Sequence, residues 1–109
     1  MRYRQFGKTG WRVSEIGFGG ARIGGLFAQD GGRVTSLRTL EAAFDAGINF
    51  FDTADMYSQG ESEILVGKAF RKKRDKVFIA TKGGYCLPGR SRLIQLVKPL
   101  PTTPSGCAS

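Results

Sequence analysis

Cysteine is scarce in this chain of 109 residues: only Cys86 and Cys107 occur, too few and too oddly spaced for a disulfide framework, so a reducing, cytoplasmic setting is expected. No apolar run approaches the ~20 residues that a membrane-spanning helix needs. The opening Met1-Arg2-Tyr3-Arg4-Gln5 carries charge with no apolar stretch behind it, which is not the pattern of a secretory signal. Acidic residues are missing from the end of the chain. Residues 76–109 hold five Lys/Arg and no Asp or Glu, whereas residues 1–75 hold twelve basic and nine acidic residues. The net charge of +8 is therefore weighted toward the last third of the chain. A nucleic-acid surface would need a basic stripe with interleaved aromatics. The one dense cluster, Arg71-Lys72-Lys73-Arg74-Asp75-Lys76, lies between a helix pattern and a strand pattern. It reads as a solvated helix end, where cations complement the helix dipole, and no nucleic-acid partner is expected.

What is present argues for a globular domain. Hydrophobic residues make up 40% of the chain and twelve residues are aromatic, more than a disordered segment carries. Tyr3 and Phe6 precede the turn Gly7-Lys8-Thr9-Gly10, and Trp11 and Val13 follow it with period-two spacing, which predicts an opening hairpin. Ile16 to Phe18 predicts a short buried strand, and the glycine-rich stretch from Ala21 to Gly32 a loop. Leu37, Leu40 and Phe44 recur at helical spacing within 34–46, and Gly47 stands as the stop. Ile48 to Asp52 predicts a strand. Residues 61–71 predict a second helix, with Glu61 and Glu63 in its first turn and basic residues at its end. Lys76 to Lys82 predicts a further strand, ended by Gly83-Gly84. Strands alternating with helices through such short connections specify a parallel sheet covered by helices, hence the α/β class.

Residues 90–109 differ in character. Pro99, Pro101 and Pro104 stand close together among Thr and Ser. Arg92 to Val97 could form a helical turn, but nothing after it builds a strand. The expected division is an α/β part over 1–89 and a tail over 90–109, from a truncated or shifted reading frame or a short natural linker.

Three residues carry the candidate chemistry. Asp52 closes one predicted strand, Tyr57 lies in the loop after it, and Lys82 closes the next strand. Reactive groups in parallel α/β folds collect at the carboxyl ends of the strands. Strands joined by a right-handed crossover are usually neighbours, about 4.8 Å apart, so Asp52 and Lys82 are expected side by side with Tyr57 over them. A free phenol, with a pKa of about 10, gives up its proton reluctantly at neutral pH, and an ammonium beside it favours the phenolate. An Asp–Lys–Tyr trio so arranged suits a general acid that protonates a carbonyl oxygen. The same trio also occurs in folds as a purely structural network, and placement alone leaves both readings open. A third reading makes Lys82 an imine-forming nucleophile.

Other motifs fail. Gly17-Phe18-Gly19-Gly20-Ala21-Arg22 lacks the third glycine of a dinucleotide-binding turn. Gly7-Lys8-Thr9 has Arg2 where a phosphate-binding loop requires glycine. Glu61 and Glu63, two apart on a helix, do not face each other, so they build no metal site with Asp52 and Asp55.

The segment Phe51-Asp52-Thr53-Ala54-Asp55-Met56-Tyr57, then Gly60-Glu61-Ser62-Glu63 and Phe78-Ile79-Ala80-Thr81-Lys82, resembles the aldo-keto reductase family. So does the opening, Tyr3-Arg4-Gln5-Phe6-Gly7-Lys8-Thr9-Gly10 followed by Val13-Ser14-Glu15-Ile16-Gly17-Phe18-Gly19. The similarity covers about residues 1–85, with several motifs in the same order and spacing. It implies the first part of a (β/α)8 barrel, a hairpin plus about three β/α units, with the hairpin capping the barrel bottom. It also implies NADPH, or less often NADH, as hydride donor to a small aldehyde or ketone. Tyr57 would then be the proton donor, Lys82 the cation that eases its ionisation, and Asp52 the group that positions the lysine. Gly20, Ala21 and Arg22, with Asp52, would contact the nicotinamide half of the cofactor. The family's catalytic set also includes a histidine from the fourth barrel strand, and this chain has none. A sheet with both edges open invites self-association, so the chain by itself is expected to be at best marginally stable, to aggregate and to show little or no activity. The alternative is a small basic module, binding nucleic acid or protein on a leftover α/β scaffold.

Overall fold

The computed structural model describes residues 1–24 and 32–84. Most of the glycine-rich loop, both cysteines and the segment 90–109 with its expected turn lie outside the described residues. Strands β1 (Tyr3–Gln5) and β2 (Arg12–Ser14) form an antiparallel hairpin in which Arg4 faces Val13. The order then runs β3 (Phe18–Gly19), α1 (Gly32–Asp45), β4 (Phe50–Asp52), α2 (Glu61–Ala69) and β5 (Phe78–Ala80). β3, β4 and β5 make a parallel sheet in that spatial order. The alternation and the parallel pairing are those read from the sequence, and they are the opening units of a (β/α)8 barrel. The observed strands are shorter than the predicted ones. β5 is preceded by a 3-10 turn at Arg74–Lys76, which takes up residues that the apolar pattern alone would leave extended. Among the described residues no helix is long and apolar enough to cross a membrane.

Residues on a strand alternate between faces, and β4 divides its side chains accordingly. Phe51 is fully buried and packs with Leu40 of α1 and with Leu65, Val66 and Phe70 of the α2 region. Phe50 and Asp52 point to the opposite face. On α2, Ser62, Leu65, Val66 and Ala69 share the core-facing stripe set by helical spacing. Glu61 and Glu63 occupy its first turn and Lys68 its last, the arrangement that complements the helix dipole. α1 ends at Gly47, whose φ is +102°. The amide of Ile48 donates to Ala43 O at 3.1 Å and that of Gly47 to Phe44 O at 2.9 Å, the paired bonds of a left-handed helix stop.

The hairpin sits under the sheet. Phe6 stacks on Phe50 with ring centroids 5.9 Å apart, and Trp11 on Phe78 at 5.1 Å. Phe50 and Phe78 are the first residues of β4 and β5, so the hairpin covers the amino ends of the strands. Asn49 fastens it: its side-chain oxygen accepts from the Ser14 amide at 2.7 Å, and its own amide donates to Ser14 Oγ at 3.1 Å. A groove of about 400 Å³ opens beside these aromatics, lined by Phe6, Trp11, Phe50, Phe78 and Arg74. The carboxyl ends of the strands lie at the other end of the sheet, away from the hairpin.

Candidate functional site

Asp52 is the last residue of β4, and its partner across the ladder is Ala80. Lys82 stands two residues past that partner, so the two side chains are diagonal neighbours rather than side by side. Parallel pairing nonetheless continues past the strand ends. The Thr53 amide donates to Ala80 O at 2.8 Å, and the Asp55 amide to Lys82 O at 3.1 Å. These bonds fix the backbone of Lys82, and its long stem reaches back to the acid.

The ammonium of Lys82 meets three acceptor groups, which present four oxygen atoms. Nζ lies 2.9 and 3.0 Å from the two carboxylate oxygens of Asp52, 3.0 Å from the carbonyl of Thr53 and 3.2 Å from Tyr57 Oη. An ammonium has three protons, so this set uses all of them and leaves the lysine one orientation. Nζ also lies 4.9 Å from the centre of the Tyr57 ring. Because Tyr57 Oη accepts from the lysine, its own proton is not spent on that bond and can be directed elsewhere. The Lys82 and Asp52 side chains are 42% and 39% exposed, so the trio opens to solvent and adds little to stability as an ion pair. The structure thus brings Asp52, Tyr57 and Lys82 together at one end of the sheet.

The Lys82 pKa is raised above the ordinary 10.5, first by the hydrogen bond to Asp52, then by that to Tyr57, against an opposing desolvation. A raised cation pKa contributes stability that is fully present below the unfolded value and is lost as pH rises through the folded value. Side-chain NMR is therefore expected to show Lys82 titrating above 10.5. Wild type should also lose thermal stability faster than Lys82→Met in that alkaline range. A Lys82 midpoint at or below the ordinary value would contradict the observed contacts.

Gly20 stands close behind the trio. Its amide donates to Asp52 O at 2.7 Å, and a Cβ built on it would lie 2.8 Å from Asp52 O and 2.9 Å from Ser62 Oγ. Only glycine lets this loop lie so close to the end of β4. Ala21 and Arg22 follow on the surface. Of the four residues suggested as cofactor contacts, Gly20 and Asp52 are joined directly by that backbone hydrogen bond, and Ala21 and Arg22 follow Gly20 in the chain.

Two site-shaping residues have no role in the sequence reading. Ser62 Oγ donates to Gly20 O at 2.8 Å, so in its 2.7 Å contact with Thr53 Oγ1 it accepts. Both hydroxyls are buried. Thr53 thus links the lysine, through its carbonyl, to the Gly20 loop, through its hydroxyl and Ser62. The available signal was a serine on the core-facing stripe of α2, where a small polar side chain needs a buried partner.

The family model described as "Aldo/keto reductase family" matches residues 15–101. An aldo-keto reductase of Bacillus subtilis, YhdN, is 44% identical over 84 residues, covering 75% of this chain and 25% of its own length. Pyridoxal 4-dehydrogenase of Microbacterium luteolum is 42% identical over 81 residues, covering 74% of this chain and 23% of its own length. Among solved structures, the holo form of an aldo-keto reductase from Bacillus halodurans superposes with a TM-score of 0.69 at 37% identity, covering 82% of this chain and 28% of that one. The glycerol dehydrogenase of Gluconobacter oxydans gives a TM-score of 0.65 at 35% identity, with 75% and 25% covered. The chain spans about a quarter of the length of the curated relatives it matches.

Proposed function

The chain belongs to the aldo/keto reductase family, and on that premise we propose that its described part carries the proton-donating half of a nicotinamide-dependent carbonyl reductase. The observation that carries this reading is the Lys82 ammonium, held at once by Asp52 and Thr53 O and donating to Tyr57 Oη. Tyr57 protonates the oxygen of an aldehyde or ketone, Lys82 stabilises the phenolate left behind, and Asp52 keeps the lysine charged and oriented. Solvent returns the proton to this open site. Bound reduced nicotinamide would supply the hydride that the carbonyl carbon needs. The residues present fit that group: Asp52 is partly exposed, Gly20 is drawn tight against the backbone behind it, and Ala21 and Arg22, next in the chain, are exposed. NADPH is the favoured form. The names of two relatives, a pyridoxal and a glycerol dehydrogenase, fit the same alcohol–carbonyl exchange.

The inner face of the described sheet, with Phe50 and Phe78 beside the groove, stays open to water, and water weakens every charge interaction at such a site. The chain by itself is proposed to turn over weakly at best and to self-associate. The α/β part, 1–89, is the catalytic unit in this proposal, and the site is cytoplasmic.

The test is label transfer. Chain incubated with NADPH deuterated at the transferable position and an aromatic aldehyde is expected to place deuterium on the alcohol carbon, read by mass spectrometry. Salt-sensitive binding to DNA with no label transfer would favour the basic-module reading. Borohydride trapping of an aldehyde on Lys82 would favour the imine reading.

A further inference from the structure

Immediately after Tyr57 the backbone does something unusual. Ser58 has φ 50° and ψ 38°, and Gln59 has φ 57° and ψ 36°, followed by Gly60 at φ 95°. Three consecutive residues are left-handed, and two of them carry a Cβ, for which that conformation is uncommon. Glycine at 58 would adopt it freely. The serine brings a hydroxyl instead, and that hydroxyl is buried and donates to Ile23 O at 2.6 Å.

The contact is also tight sterically. A Cβ on Gly24, itself at φ +112°, would lie 2.8 Å from Ser58 Oγ and 2.9 Å from Ser58 Cβ. The Gly24 amide in turn donates to Ser36 Oγ at 3.0 Å. The segment 20–24 is therefore anchored at both ends: Gly20 O on Ser62 and Ile23 O on Ser58. Within the turn itself, the amide of Tyr57 donates to Ala54 O at 3.3 Å and that of Gln59 to Met56 O at 3.2 Å. These are local bonds. The serine hydroxyl links the Tyr57 turn to a carbonyl 35 positions earlier.

We propose that Ser58 is a positioning residue, whose hydroxyl on the Ile23 carbonyl holds the Tyr57 phenol against the Lys82 ammonium and makes the Gly20–Gly24 segment and that phenol one rigid unit. The importance of that unit for catalysis rests on the reading of Tyr57 as proton donor. The geometric claim does not. The consequence is that a ligand ordering the segment 20–24 also orders the phenol, so cofactor and proton donor are set together.

The discriminating variant is Ser58→Gly, which removes the hydroxyl while easing the backbone. A purely conformational role for residue 58 predicts that this change leaves the site intact. The positioning role predicts that Tyr57 loses its fixed place and that the Lys82 Nζ protons exchange with water roughly two- to tenfold faster, read by side-chain NMR on the full chain. The urea midpoint is expected to stay near that of wild type. Ser58→Ala, which keeps the Cβ against Gly24, is expected to speed the exchange by a similar factor. Unchanged Lys82 exchange in both variants overturns the proposal. Tyr57→Phe separates the two claims: faster Lys82 exchange in the serine variants together with undiminished label transfer in Tyr57→Phe upholds the positioning and removes the proton-donor reading.

Discussion

Replacing Tyr57 with phenylalanine is expected to reduce label transfer to a carbonyl substrate by about 10²- to 10⁴-fold, the range for loss of a positioned general acid. The substitution removes one atom that matters. The ring stays, and so does its stacking distance to the ammonium. Lys82 keeps Asp52 and Thr53 O as acceptors, and Tyr57 is not among the fully buried side chains of the core, so folding is not at stake. What disappears is the proton delivered as charge develops on the carbonyl oxygen. An interaction made only in the transition state shows itself in kcat rather than in substrate or cofactor affinity. NADPH binding by Tyr57→Phe should therefore match wild type while transfer falls. Equal transfer by the two proteins would remove Tyr57 from the reaction.

Lys82→Met makes the complementary case. It leaves the phenol but withdraws the cation that stabilises its conjugate base, and it strips Asp52 of its partner. Reductive transfer falls here as well, and raising the pH cannot restore it because the phenol must carry its proton to donate. In the reverse direction, alcohol oxidation with the oxidised nicotinamide, the phenolate is the base, and raising the pH should recover part of the loss. Tyr57→Phe has no such recovery. The contrast assigns donor and helper separately, which single losses of activity do not.

Much of this arrangement could be read from the sequence, and the reasons differ from element to element. The parallel order followed from alternation, because a helix between two strands carries the chain back along the sheet so that the next strand runs the same way. The hairpin followed from a glycine-bracketed turn between aromatic residues. The gathering of Asp52, Tyr57 and Lys82 at one end followed from strand ends. Their register did not. Lys82 lies two residues beyond the partner of Asp52, and the ladder that holds it there continues through backbone bonds that leave no mark on composition. The left-handed run at Ser58 and Gln59 was equally hidden, since neither is glycine. At Ser58 it goes with contacts to Ile23 and Gly24, 35 and 34 positions away in the chain. The Thr53–Ser62–Gly20 relay depends on a contact across 42 positions, and only the serine on an apolar helix stripe hinted at it.

The second large effect concerns Phe51, and it tests which face of the sheet is the core. Phe51 is 0% exposed. Its ring centroid lies 4.4 Å from that of Phe70 and 5.7 Å from that of Phe18. Phe51→Ala is expected to cost about 3–5 kcal/mol, since the helices above cannot collapse fully into the space left. Small domains hold only about 5–15 kcal/mol in total, so the urea midpoint should fall steeply. Phe50 is the control, with the same residue type one position earlier on the same strand. It faces the hairpin and the groove and is only half-buried, so its replacement by alanine removes fewer contacts and leaves less of a void. The urea midpoint of Phe50→Ala should fall by clearly less. Equal losses at both positions would mean that the two faces are equally packed, and a second layer would then have to cover the hairpin side. With the core confined to the helix side, the open face is free to present Asp52 and Lys82 at its far end, because charged groups with no apolar layer over them keep their contact with water.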